Sequence, residues 1–141
     1  PAQFRTVKIT KTYKEVLAAP RVSGDSFDRR LEIINLPAGT AVLAFSTNVI
    51  EPFVLPNGEG VSAYAIRAEG DTGEVSAGDI AVPPNLSVKN FENKRGASAE
   101  FGPYSVDRSV TLVIYIKGVN NGDLGGLKAG ALNFYITLAS I

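Results

Sequence analysis

The feature that most constrains this fold lies in the C-terminal third, in two apolar runs, residues 110–117 (VTLVIYIK) and 131–140 (ALNFYITLAS). In the first, Val110, Leu112, Ile114 and Ile116 fall on one face at period two, with Thr111, Val113, Tyr115 and Lys117 on the other. In the second, Leu132, Phe134, Ile136 and Leu138 share a face opposite Asn133, Tyr135, Thr137 and Ala139. Side chains of an extended strand alternate between faces, whereas a helix would scatter these apolar positions around its circumference. One strongly apolar face and one mixed face predict a sheet packed on one side against a second layer. Residues 118–130 (GVNNGDLGGLKAG) join the runs, with glycines at 118, 122, 125, 126 and 130. That connection is too long for a two-residue hairpin. The two strands are either antiparallel neighbours or members of different sheets.

The rest of the chain reads the same way. Residues 3–13 (QFRTVKITKTY) form a first strand whose charged outer positions guard a sheet edge. Residues 14–19 (KEVLAA) have room for one helical turn before Pro20 ends it. Residues 29–36 (RRLEIINL) and 40–48 (TAVLAFSTN) flank the turn LPAGT and are expected to pair as a hairpin, with Leu31, Ile33, Ala41, Leu43 and Phe45 inward. Further short strands are expected at 51–55, at 61–68 with Tyr64 and Ile66 on one face, around Val75 and 79–82, and at 86–91 with Leu86 and Val88 inward. Residues 92–95 form a charged turn, and 99–104 lead into the final pair. Gly, Pro and Asn clusters separate all of these. The expectation is an all-β fold: a two-sheet, jelly-roll-like β-sandwich of about eight to ten short antiparallel strands, with at most one short helical turn. It is expected to form a single β-sandwich domain over residues 1–141.

Composition narrows the function. A chain of 141 residues buries roughly 68–70% of its unfolded surface and needs no staples. It has no cysteine, histidine, methionine or tryptophan, and 14 basic residues balance 14 acidic ones. A neutral chain has no global electrostatic footprint for nucleic acid or anionic lipid, and near-zero net charge favours association. The start, Pro1-Ala2-Gln3-Phe4, is what removal of an initiator methionine would leave, and no signal-peptide pattern precedes the first strand in these residues. No apolar run approaches the ~20 residues of a membrane span.

Serine–histidine and cysteine–histidine nucleophile pairs cannot be built from these residue types, nor can ordinary zinc sites. The acids Glu51, Glu59, Glu69, Asp71, Glu74 and Asp79 cluster in sequence but sit at strand ends and turns. Residues 58–63 match G-x-G-x-x-A, but a turn precedes them and an alternating strand follows, where a dinucleotide site needs strand then helix. Arg29-Arg30 and Lys94-Arg95 have acids nearby (Asp25 and Asp28; Glu92 and Glu100) and read as mixed solvated faces or salt-bridge partners. No catalytic, cofactor-binding or metal-binding residue is expected. Asn120, Asn121 and Asp123 offer one carboxylate, where calcium draws on several.

Overall the chain resembles the small jelly-roll structural proteins of viruses, in particular bacteriophage capsid, vertex and decoration subunits. The resemblance spans the whole chain and lies in its general make-up, with a proline start, no sulfur and many short strands. It rests on no motif, so no functional residue is carried over. It implies a virion structural protein, not an enzyme, assembled in the host cytoplasm as a homo-oligomer (trimer or pentamer) alongside other capsid proteins. The alternative class is a carbohydrate-binding or adhesive β-sandwich module with a glycan partner. Chain ends and the glycine loop become ordered when something ties them down, and tyrosine is enriched at protein contacts. The expected subunit-contact residues are therefore Phe4, Tyr115, Asn121, Asp123, Leu124, Leu127, Tyr135 and Ile141.

Overall fold

The architecture is that of a computed structural model, which describes residues 4–23, 27–70, 73–74, 79–81, 83–88, 90–92, 104–106 and 108–140. Among them are nine strands and one six-residue helix: β1 (Phe4–Thr12), α1 (Tyr13–Ala18), β2 (Arg29–Leu36), β3 (Thr40–Glu51), β4 (Val61–Gly70), β5 (Gly73–Glu74), β6 (Asn90–Glu92), β7 (Tyr104–Val106), β8 (Val110–Gly118) and β9 (Ala131–Ser140). One sheet runs β1-β9-β3, with β6 and β7 both on the far edge of β3; the other runs β2-β8-β4-β5. All pairings are antiparallel. Successive strands mostly change sheets, which winds the chain as a jelly roll.

The two C-terminal runs are interior strands of opposite sheets. β8 lies between β2 and β4, and β9 between β1 and β3. Their apolar faces supply the centre of the core: Val110, Leu112, Ile114, Ile116, Leu132, Phe134, Ile136 and Leu138 are all buried. Phe134 meets Phe45 of β3 edge-on, ring centroids 5.8 Å apart. Partners on both sides make these runs the scaffold on which the earlier strands assemble.

β2 and β3 do not form the expected hairpin. Each pairs along most of its length with a long C-terminal strand, β2 with β8 and β3 with β9. The turn between them becomes a corner between layers, with Gly39 at φ 84° and the Thr40 hydroxyl donating to the Pro37 carbonyl at 2.8 Å. Bulges explain the misplaced side chains. A register shift between Val42 and Ala44 turns Leu43 out of the core and Val42 into it. Another, between Ala63 and Ala65, separates half-buried Tyr64 from fully buried Ile66. An inserted residue reverses the alternation beyond it, so a strict period-two reading loses phase there.

Residues 51–55 are not a separate strand: β3 continues to Glu51, and only Val54 makes an isolated bridge, to Gly60. Residues 85–87 form a turn in which the Asn85 side chain accepts from the Ser87 amide, so Leu86 enters the core while Val88 is exposed. Readings on residues 1–3, 24–26, 71–72, 75–78, 82, 89, 93–103, 107 and 141 lie outside the described residues.

α1 bridges the two layers beside β1 and β2. Its Val16 is fully buried, and the Glu15 carboxylate accepts from the Thr12 amide at 3.1 Å in the first turn. Arg29 at the start of β2 donates to the carbonyls of Ala19 and Leu17 (2.9 and 3.4 Å), satisfying the helix's exposed C-terminal acceptors.

Candidate subunit-contact surfaces

The glycine-rich connection is a lid on the chain's own core. It folds as two short 3-10 turns, Val119–Asn121 and Leu124–Gly126. Leu124 and Leu127 are 0% and 3% exposed, so these two expected contact residues face inward. Asp123, exposed at the loop's rim, accepts from the Gly125 amide at 2.8 Å and caps the second turn. Asn120 takes the left-handed conformation at φ 56°. Of Asn121 the backbone belongs to the first turn. Gly130, at φ 140°, passes so close to Phe53 that an added Cβ would stand 2.3 Å from the ring. Its amide donates to Glu51 and its carbonyl accepts from the Tyr13 amide.

Three connections meet at Gly60. Val54 bridges to it, the Val119 amide donates to its carbonyl at 2.9 Å, and the Ser87 hydroxyl sits where its side chain would be. Ser87 also accepts from the Val61 amide and donates to the Val61 carbonyl, locking the 83–88 segment onto β4. Each connection brings an exposed valine to this end: Val54, Val88 and Val119, at 42, 48 and 44%. Beside them Leu55, Pro56, Asn57, Asp123 and Gly126 line a shallow cleft of about 290 Å³. Sequence reasoning missed these valines, because nothing in the local pattern shows which loops share an end.

The outer face of the β2-β8-β4-β5 sheet carries Tyr115. Its hydroxyl donates to Glu69, which also binds Arg30 at 2.7 Å. Arg30 reaches Glu32 as well, at 3.3 Å. Arg30 thus finds a partner 39 residues away in the chain. Tyr64 tilts against Tyr115 with centroids 5.7 Å apart; Arg67 lies over the Tyr115 ring and Lys117 over the Tyr64 ring. Val113, pointing to this outer face, is fully buried beneath the network. Burial, with the Asp28 charge second, pushes the Tyr64 phenol up to about 12; burial and Glu69 also raise Tyr115. Desolvation works against the Arg30 charge, but Glu69, Glu32 and Tyr115 together outweigh it, holding its pKa above the ordinary value. The two rings offer no bare stacking platform, because a cation approaches each.

The remaining predicted residues are scattered. Tyr135 lies half-buried on the outer face of the other sheet, its hydroxyl accepting from Asn133 at 3.3 Å. Phe4 is 67% exposed at the foot of β1, where Arg5, Pro37, Thr40 and residues 138–140 complete a cleft of about 280 Å³. Ile141 lies outside the described residues. The described candidate acids go to separate places: Glu51 binds Gly130, Glu69 binds Arg30, Asp79 accepts from the Ile66 amide, and Glu59 lies beside Gly122. Asp71 and the Glu74 side chain lie outside the described residues. Residues 56–58 form a turn, and β4 begins at Val61, so the glycine pattern there opens no helix.

No protein-family model matches this chain, and no curated protein matches it. Among solved structures it is similar to a chain of the acid-stable capsid of Helicobacter pylori bacteriophage KHP30, at 11% identity and a TM-score of 0.48, covering 100% of this chain and 94% of that one. It is also similar to a chain of infectious bursal disease virus, Gx strain, at 14% identity and a TM-score of 0.38, covering 99% of this chain and 36% of that one. At these values the architecture rests on the strand order given above and not on either likeness.

Proposed function

We propose that this chain is a virion structural protein: a single sandwich domain over residues 1–141 that assembles into, or decorates, a bacteriophage capsid through loop and edge contacts. The observation that carries the reading is the jelly-roll strand order combined with a solid aliphatic and aromatic interior. Jelly rolls serve as viral shell subunits, as lectins and as cupin-type barrels. A barrel enzyme needs reactive side chains inside; among the described residues the buried polar ones are Thr40, Thr47 and Asn133, in a chain without histidine or cysteine. A lectin needs an accessible platform, and the Tyr64–Tyr115 pair is covered by Arg67 and Lys117. What remains is a use of shape. Fold alone does not fix function, so the reading is held to a direct test.

The contacts proposed for assembly are the loop end bearing Val54, Val88 and Val119, together with Phe4, Asp123 and the outer-face tyrosines Tyr115 and Tyr135. Light scattering after size exclusion, with electron microscopy of the same fractions, should show closed homo-oligomers (trimers or pentamers) or particles as concentration rises. A monomer that stays monomeric at millimolar concentration and is captured by a glycan array would overturn the proposal in favour of a carbohydrate-binding module.

A further inference from the structure

β1 ends its sheet. It pairs with β9 over all nine residues, Phe4↔Ala139 through Thr12↔Ala131, and among the described residues nothing pairs with its other edge. Such an edge holds a row of backbone donors and acceptors ready for another strand. The other side of the molecule is treated differently. There β4 exchanges backbone hydrogen bonds with Ile80, Pro84 and Leu86, which close its edge.

The side chains of β1 say what the open edge accepts. Arg5, Val7, Ile9 and Lys11 lie opposite Leu138, Ile136, Phe134 and Leu132, on the core-facing side. Val7 and Ile9 are partly buried against the core. Thr6, Lys8 and Thr10 face outward, with Thr6 bonded to Thr137 and Thr10 to Asn133. β1 itself therefore carries three cations and no anion, with Glu32 lining the same cleft as Lys11. Arg5 and Lys8 are exposed; Lys11 is held by Glu15 at 3.3 Å. Toward β2, Lys11, residues 32–35 and Thr111 line an open cleft of about 300 Å³ among the described residues.

Lysine and arginine at an edge commonly block pairing, and here they block one partner in particular. Two β1 strands aligned antiparallel about their centre would place Lys8 against Lys8 and Arg5 against Lys11, so every cation would face a cation. Like charges directly opposed across strands are destabilising. The same spacing favours an acidic strand. Read along the core-facing side the pattern is cation, apolar, apolar, cation, with a cation at the centre of the other side. It is the same in both directions. From this edge and its charges we infer that β1 is an acceptor for an extended acidic protein segment, added as a further strand with carboxylates opposite Arg5, Lys8 and Lys11 and small apolar residues opposite Val7 and Ile9. Backbone bonds supply affinity in such strand addition, and alternate side chains supply selection. The inference rests on the fold and not on the assembly reading, and the two fail separately.

The test uses the full chain and the peptide ETVEVTE, with KTVKVTK, the scrambled EEETTVV and a 20-nucleotide oligo-dT as comparators. ETVEVTE should bind about tenfold more tightly than the other three, the scale that exposed ion pairs at Arg5 and Lys8 supply. Binding should weaken as salt screens the charges. Hydrogen exchange should slow at alternate amides of β1 and not elsewhere. The double variant R5E/K8E should prefer KTVKVTK while melting at the wild-type temperature, since both residues are exposed. Equal binding of the scrambled peptide, preference for the oligonucleotide, binding without protection of β1 amides, or no binding at millimolar peptide would each overturn the inference.

Discussion

Two glycines with left-handed backbones separate strain from crowding. Gly58 has φ 81° and open space where a Cβ would go; Gly130 has φ 140° and the Phe53 ring there. Gly58→Ala should therefore cost only the backbone penalty, about 1–2 kcal/mol. Gly130→Ala must add displacement of a fully buried ring, for a total of about 3–5 kcal/mol. Urea titration of both variants checks the order; equal losses would mean that the Phe53 packing is not as described. The Tyr64 phenol gives a pH signature. Its pKa rises from 10 to about 12 through burial first and Asp28 second. The folded state holds this proton more tightly than the unfolded state, so the contribution is complete below pH 10 and is lost as pH climbs toward 12. Unfolding free energy should be level up to about pH 10 and fall through that window, with phenolate absorbance rising in step. Tyr64→Phe should flatten the fall, leaving the smaller share from Tyr115, whose pKa is also raised.

At the scale of elements, the connection at residues 119–130 behaves as part of the core. Leu124 is fully buried, and Gly122 sits so close to Leu55 that an added Cβ would stand 2.6 Å from its Cδ1. Leu124→Ala should cost about 2–5 kcal/mol, as for a core leucine. In a mobile surface loop the same change would stay within roughly 0.5 kcal/mol, and chemical denaturation distinguishes the two. This loop also marks where the sequence stops being legible. The period-two runs of β8 and β9 identified the core faces residue for residue, because long strands flanked on both sides obey alternation. The helical turn at residues 14–19 was readable from the proline that ends it, and α1 spans Tyr13–Ala18. Leu43, Tyr64 and Val88 were misplaced because bulges and an asparagine turn change phase with no local signal. The β2–β3 hairpin was misread because proximity in sequence competed with two much longer partners, and a turn motif does not say whether it closes a ladder or rounds a corner. The candidate contacts fared unevenly for the same reason. Glycine content reads as mobility, but here the glycines let a loop pack closely over Phe53 and Leu55 while its two leucines go inward.

At the scale of the molecule, the 52–60, 83–88 and 119–130 segments gather at one end around Gly60, and among the described residues the short 37–39 corner lies between the layers elsewhere. Internal hydrogen bonds fix the Gly60 end before any partner arrives, so contact there carries little ordering cost. A stable interface buries about 800 Å² per partner, more than three part-exposed valines provide. The proposed contact would therefore spread over the neighbouring rim at Pro56, Asn57 and Asp123, with an apolar centre inside a polar margin. Replacing Val54 and Val119 together by lysine places two like charges at that centre. The expected result is a monomeric protein by light scattering at concentrations where the wild type is oligomeric, with its thermal midpoint moved by no more than about 2 °C, because exposed substitutions contribute little to stability. R5E/K8E, which alters only the β1 edge, should leave oligomer size unchanged if the loop end is the contact. If R5E/K8E dissociates the oligomer and the valine pair does not, assembly runs through the open sheet edge, and the ordered loop end serves only to close the core.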